Sequence, residues 1–234
     1  MSKGCFVTGT DTGVGKTVVT ALLASALRRQ GLRVGVMKPV ETGCPREGGH
    51  LVPQDSLFLR QVSGCTAPQA LVTPYTFVEP LAPALAAELA GITIELNHIR
   101  GCYERLLAEH DIVLVEGAGG LLVPLTAQFS MHDMAVELDL PVLVVACNRL
   151  GTINHAALTV AVARERSHVL GIVLNHTQTP DDLATQTNAD ALRRWGKAPL
   201  HYQVPYLPTL TPELFGTLGE HFIIDELLEV LYTR

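Results

Sequence analysis

Short, unbroken apolar runs alternate along the chain with stretches whose apolar residues recur every three or four positions. The runs fall at Cys5–Thr8, Arg33–Met37, Ile112–Val115, Pro141–Ala146 and Val169–Leu174. They are continuous rather than alternating, the pattern of parallel strands covered on both faces. Between them, Lys16–Gln30 places Val19, Leu22, Leu23, Ala26 and Leu27 on one face of a helix, and Gly31 supplies a left-handed stop. Further helices are predicted over Ile94–Glu109, His155–Arg166, Leu183–Trp195 and Glu220–Leu231, and one starts near Ser56. The alternation predicts an α/β fold: a mostly parallel sheet with helices on both faces.

Two segments break this rhythm. Glu41–Gln54 is dense in Gly and Pro and reads as a long functional loop. Ala67–Pro83 carries four prolines and reads as an extended excursion leading into a short helix. Neither has the composition of a flexible linker, so residues 1–234 are expected to form a single domain. Apolar residues make up 47% of the chain and charged ones 17%, which excludes a disordered polymer. The net charge of −6 and the lack of a Lys/Arg run argue against nucleic acid as a partner. No apolar stretch reaches the ~18 residues of a membrane span, and no hydrophobic signal region opens the chain. A cytoplasmic location is expected. Five widely spaced cysteines without a C-x-x-C pair read as buried small hydrophobes rather than a disulfide framework or zinc site.

The strongest chemical signal is GTDTGVGKT at Gly9–Thr17, between a strand and a helix. Such a loop turns successive backbone N–H groups onto phosphate oxygens, Lys16 reaches the β/γ oxygens, and Thr17 offers its hydroxyl to Mg²⁺. Five residues rather than four separate Gly9 from Gly15, but the strand–loop–helix context supports a nucleoside-triphosphate site. Glu116 closes the run Asp111–Val115 at the carboxyl end of a strand, where α/β sheets bind ligands and Mg²⁺ finds hard oxygen donors. Asp111, at the other end, reads as a solvated turn residue. Asp55 either caps the helix near Ser56 or helps hold a metal. Lys38 follows the second strand, either as a solvated charge or facing an anionic phosphate or carboxylate. Asn175 is either a turn residue or a reader of a base edge.

Taken together, GTDTGVGKT, KPVETG, EGAGGLLVPL, RLGTINH and LNH, in this order and at these intervals, resemble the dethiobiotin synthetase family over nearly the whole chain. The resemblance implies a P-loop NTPase-like fold. It also implies an ATP- and Mg²⁺-dependent cyclo-ligase that carboxylates 7,8-diaminononanoate with CO₂ and closes it to dethiobiotin. The route runs through a carbamate and its mixed anhydride with phosphate. By the same resemblance, Gly13, Val14, Gly15, Lys16, Thr17 and Val18 hold the triphosphate, with Gly117, Ala118 and Gly119 beside the nucleotide. Thr17, Asp55 and Glu116 hold Mg²⁺. Lys38 and Lys16 are the catalytic lysines, and Thr12, Thr42 and Lys38 take the amine and carbamate end of the substrate. Asn175, His176, Pro205, Tyr206 and Leu207 frame the adenine. A homodimer is implied, with substrate at the interface and Asn154 reaching it from the partner subunit.

Two rival classes compete with this resemblance. Septum- or plasmid-partitioning ATPases carry a signature lysine where this chain has Asp11. Cobyrinate-type amide ligases usually carry an additional glutaminase domain, for which 234 residues leave no room.

Overall fold

The computed structural model describes residues 4–179 and 182–219; the helix expected over 220–231 lies outside them. Strand β1 (Gly4–Gly9) leads into helix α1 (Lys16–Arg29) and strand β2 (Val34–Met37). The segment expected to be a loop contains β3 (Val40–Glu41) and a small hairpin of β4 (Arg46–Glu47) and β5 (His50–Leu51), then runs into α2 (Gln54–Ser63). Next come α3 (Gln69–Val72), β6 (Tyr75–Thr76), α4 (Pro83–Ala90), α5 (Leu96–Glu109) and β7 (Ile112–Gly120). The remaining elements are α6 (Met131–Glu137), β8 (Val142–Cys147), α7 (Thr152–Ala163), β9 (Val169–Asn175), α8 (Leu183–Trp195), β10 (Leu200–Val204) and α9 (Pro212–Leu218).

Six strands form one parallel sheet in the order β10-β9-β8-β1-β7-β2. The crossover from β1 to β2 runs one way across it, and every later crossover runs the other. Right-handed connections therefore put α1 on one face and α5, α6, α7 and α8 on the opposite face. Helices α2 and α9 pack on α1, and Phe58 meets Phe215 edge-on with ring centroids 5.2 Å apart. One continuous apolar core runs through both layers. All of β1, β8 and β9 is buried, as their unbroken apolar runs require. The connections diverge around β1, so a crevice opens at the carboxyl ends of β1 and its neighbours, the ligand position of such sheets.

Besides the short elements inside the two irregular segments, β10, α6 and α9 were not legible as apolar runs. Edge strand β10 is half-buried over its first three residues, exposed at Gln203 and buried only at Val204, so it lacks the continuous pattern. Helices α6 and α9 are seven residues long, too short for a periodic stripe. Yet α6 carries a local start signal: Ser130 accepts from the backbone N–H of Asp133, whose carboxylate accepts from that of Ser130. The cysteines Cys5, Cys44, Cys65, Cys102 and Cys147 are all buried and free. Among the described residues, no helix is long and apolar enough to cross a membrane.

Candidate active site

Parallel register builds the centre of the site. Met37 pairs with Val115, so the next residue, Lys38, comes level with Glu116 on the neighbouring strand. Lys38 Nζ donates to Glu116 Oε1 at 2.9 Å and also to Asp55 Oδ2. Thr17 Oγ1, in the first turn of α1, donates to the same Glu116 oxygen at 2.9 Å. Strand β7 continues to Gly120, five residues beyond the Val115 end expected from the sequence, with a register shift against β1 after Glu116. Glu116 is wholly buried, and its Oε2 has no hydrogen-bond partner among the described residues. A buried carboxylate oxygen left without a donor is costly unless a ligand supplies one, and a hard cation is such a ligand.

The charges of this centre are strongly coupled. Burial opposes the ammonium of Lys38, but Glu116 and then Asp55 outweigh it and hold the group above the ordinary lysine range. Lys16 is also buried, and there desolvation wins: its affinity for a proton is lowered although Glu116 favours the charge. An anion brought between the two lysines would relieve both the burial of Lys16 and its repulsion from Lys38.

The phosphate-type loop is held from below. Gly15 stands at φ +92° as the N-cap of α1, and a Cβ there would lie 2.0 Å from Asn175 Nδ2, so only glycine fits. Asn175 is buried at the end of β9 and donates to the Val14 carbonyl at 2.9 Å. Its own carbonyl accepts from Asn148 N–H at 2.8 Å, and Asn148 Oδ1 accepts from Asn188 at 2.8 Å. These asparagines tie the ends of β8 and β9 and helix α8 to the loop. Asn148 and Asn188 were not singled out from the sequence; a polar residue directly after an apolar strand was the available signal for Asn148.

Thr12, Gly13, Gly15, Lys16, Thr17, Lys38, Thr42, Asp55, Glu116, Ala118 and Gly119 line one cavity of about 290 Å³. Val14 points into the core instead, Val18 is half-buried on α1, and Gly117 lies against the Phe6 ring. Asn175 and His176 sit at the neighbouring strand end, where His176 N–H donates to the Val204 carbonyl at 3.0 Å. Burial lowers the proton affinity of His176. Pro205 and Tyr206 are exposed and Leu207 half-buried just beyond, outside the cavity. Asn154 is exposed in the first turn of α7, also outside it. Asp55 is not a helix cap: α2 begins at Gln54 with Pro53 before it, and Asp55 turns its carboxylate to Lys38.

A second groove of about 480 Å³ meets the first at Thr12 and runs between residues 120–124 and the Leu158, Thr159 and Val162 side of α7. Leu122 and Leu158 are 63% and 57% exposed along it. The Asp11 carboxylate accepts from the Thr12 N–H at 2.7 Å and pairs with Arg149 at 2.8 Å. The site thus offers a pocket with two lysines set against two carboxylates, opening onto a groove walled largely by apolar side chains.

A family model described as an AAA domain matches residues 3–214. The ATP-dependent dethiobiotin synthetase BioD of Anaeromyxobacter sp. (strain K) is 49% identical over 194 residues, covering 82% of this chain and 85% of the relative. Its namesake from Bacillus licheniformis is 40% identical over 224 residues (95% and 92%). That of Thermodesulfovibrio yellowstonii is 35% identical over 240 residues (98% and 100%). Among solved structures, the septum site-determining protein MinD of Pyrococcus horikoshii OT3, complexed with Mg-ADP, aligns with a TM-score of 0.54 at 16% identity, covering 99% of this chain and 100% of that one. A ParA family ATPase from Chlorobium tepidum TLS aligns at 0.52 and 15% identity, covering 98% and 93%. These two show a shared P-loop NTPase fold, not a shared activity. The relatives in sequence go further: the chain belongs to the ATP-dependent dethiobiotin synthetase family.

Proposed function

We propose that this chain, working as one domain in the cytoplasm, uses ATP and Mg²⁺ to carboxylate 7,8-diaminononanoate with CO₂ and close it to dethiobiotin, releasing ADP and phosphate. The observation that carries the reading is the buried Lys38–Glu116 pair with Thr17 and Asp55 around it, and a carboxylate oxygen of Glu116 left open beside the phosphate loop. Thr17, Asp55 and Glu116 would hold Mg²⁺, which when bound neutralises phosphate charge. Gly13, Val14, Gly15, Lys16, Thr17 and Val18 would cradle the triphosphate, with Gly117, Ala118 and Gly119 alongside. Asn175, His176, Pro205, Tyr206 and Leu207 would frame the base.

The chemistry asks for alignment and charge neutralisation more than for acid–base groups. One amine adds to CO₂ and loses a proton, giving a carbamate. A carbamate oxygen attacks the γ-phosphorus and ADP leaves. The neighbouring amine then attacks the carbonyl carbon and expels phosphate, forming the cyclic urea. Lys38 and Lys16 balance the negative charge through these steps, while Thr12 and Thr42 orient the nitrogen end. The aliphatic chain of the diamino acid suits the channel beyond Thr12. Labelled bicarbonate supplied with diamine, ATP and Mg²⁺ should give an acid-stable labelled urea that disappears when any component is omitted. Label-free product in the complete mixture would end this reading.

The substrate's distant carboxylate needs a second anchor. We propose a symmetric homodimer in which Asn154 of one subunit, at the start of α7, supplies it for the other. Exposure of Leu150, Leu158 and Leu122 beside that helix supports a covered surface there. Co-expressing Lys38→Ala with a severely impaired Asn154 variant tests the arrangement. Random pairing makes half the dimers hybrid with one intact composite site each, restoring ~25% of normal activity. No recovery in verified hybrids would confine each site to one chain.

A further inference from the structure

The loop after β2 delivers a second buried carboxylate that the reaction scheme does not use. Glu41 is only 5% exposed, and although Lys38 favours its charge, no cation lies within ion-pair distance of it among the described residues. Its Oε1 accepts from the backbone N–H of Asp55 at 2.9 Å, and its Oε2 from that of Ser56 at 3.1 Å. Helix α2 has no capping side chain of its own, because Pro53 occupies the N-cap position. Glu41, more than a dozen residues upstream, therefore satisfies two of the free N–H groups at the start of α2 and brings negative charge to its positive end. Sequence patterning cannot find such a cap, since capping residues are sought immediately before the helix.

What this bond pair fixes is the residue that it grips. Asp55 is held by its backbone to Glu41 and by its carboxylate to Lys38. Glu41 itself hangs from β3, whose partner β6 anchors it through Val40–Tyr75 and Glu41–Thr76. We infer that Glu41 is a positioning residue: it locks the first turn of α2 so that the Asp55 carboxylate stays in register with Lys38 and Glu116. The inference rests on the reading of Asp55 as part of the magnesium-nucleotide site. It adds a residue that touches neither nucleotide nor diamine.

The test uses the full chain and no diamine. Amide hydrogen exchange of the ligand-free protein reads the lock directly. ADP affinity measured with Mg²⁺ and with EDTA reads its consequence. Glu41→Ala should speed exchange at Asp55 and Ser56 by about fivefold, the size of a lost cap. It should reduce the gain in ADP affinity that Mg²⁺ confers by a similar factor, and leave affinity in EDTA within about twofold. Glu41→Gln, which keeps the shape and one accepting oxygen, should fall between this variant and the wild type on both readouts. This second variant guards against a merely unfolded first. Wild-type exchange at Asp55 and Ser56 in Glu41→Ala would overturn the inference. So would faster exchange with an unchanged magnesium gain, which would leave Glu41 as a cap alone. A failure of the carboxylation reading would appear in the bicarbonate assay and not in these measurements.

Discussion

Two ion pairs join the same two strands, each linking residues 78 positions apart, and they share almost nothing else. Arg33 and Asp111 stand just before β2 and β7. The guanidinium meets the carboxylate at 2.7 Å and Arg33 N–H adds a bond at 2.8 Å, with side chains 67% and 36% exposed. Lys38 and Glu116 stand at the other ends of that ladder, 8% and 0% exposed. The outer pair is a surface fastening that water and salt compete with. The inner one removes two charges from water, at several kcal/mol each by general experience, and apolar residues of similar volume commonly serve stability as well or better. Register explains why each pair meets. On the proposed function, the chemistry beside the phosphate loop is the reason that the inner one is charged.

The largest effect expected from breaking this comparison is at Lys38. Lys38→Met leaves Glu116 buried with only the Thr17 hydroxyl, so unfolding should become easier by about 3–5 kcal/mol. Turnover should fall by on the order of 10², equivalent to ~3 kcal/mol of lost transition-state stabilisation. Denaturant titration and initial rates check the two separately; near-normal turnover would remove Lys38 from the mechanism.

A middle-sized effect is expected at the loop's support. Asn175→Ala removes the 2.9 Å bond to the Val14 carbonyl, and should weaken nucleotide binding by about five- to tenfold, as for ~1 kcal/mol, with a small loss of stability. Calorimetric titration of ADP reads it. Unchanged affinity would mean that Gly15 and the helix start shape the loop unaided.

The smallest effect belongs to the outer pair. The hydrogen bonds from Arg33, side chain first and then backbone, hold the Asp111 carboxyl down to about 2. A folded-state value below the unfolded one of about 3.9 contributes stability above that pH and loses it as pH falls toward 2. Asp111→Asn should therefore leave turnover unchanged and lower the melting midpoint slightly at pH 7. That gap should close below pH 4. A gap that persists at pH 2 would assign the effect to something other than this ion pair.

The sequence made one end of this contrast legible and hid the connections behind it. Five of the six sheet strands announced themselves because burial demands unbroken apolar runs, and even edge strand β2 is buried along its length. Lys16, Thr17 and Glu116 stood out because loops and strand ends are where parallel sheets bind ligands; Lys38 by itself reads as either a solvated charge or an anion-facing group, and the structure brings all four into one cavity. Asp55 reads by itself as a helix cap rather than a metal ligand, and only the family resemblance moves it to the metal. The fold gives the cap to Glu41 instead. Strand β10 and the Asn148–Asn188 contact escaped because half-buried edges and side-chain bonds across distant elements leave no periodic trace.

The most direct test of the contrast is equilibrium unfolding of the double variant Lys38→Met/Glu116→Gln in the absence of nucleotide, paired with its bicarbonate-fixing rate. If the inner pair is held for chemistry, the double variant should regain most of the stability that Lys38→Met alone loses, ending near or above the wild type, while fixing no bicarbonate. A double variant still several kcal/mol less stable than wild type, or one that retains turnover, would contradict the account.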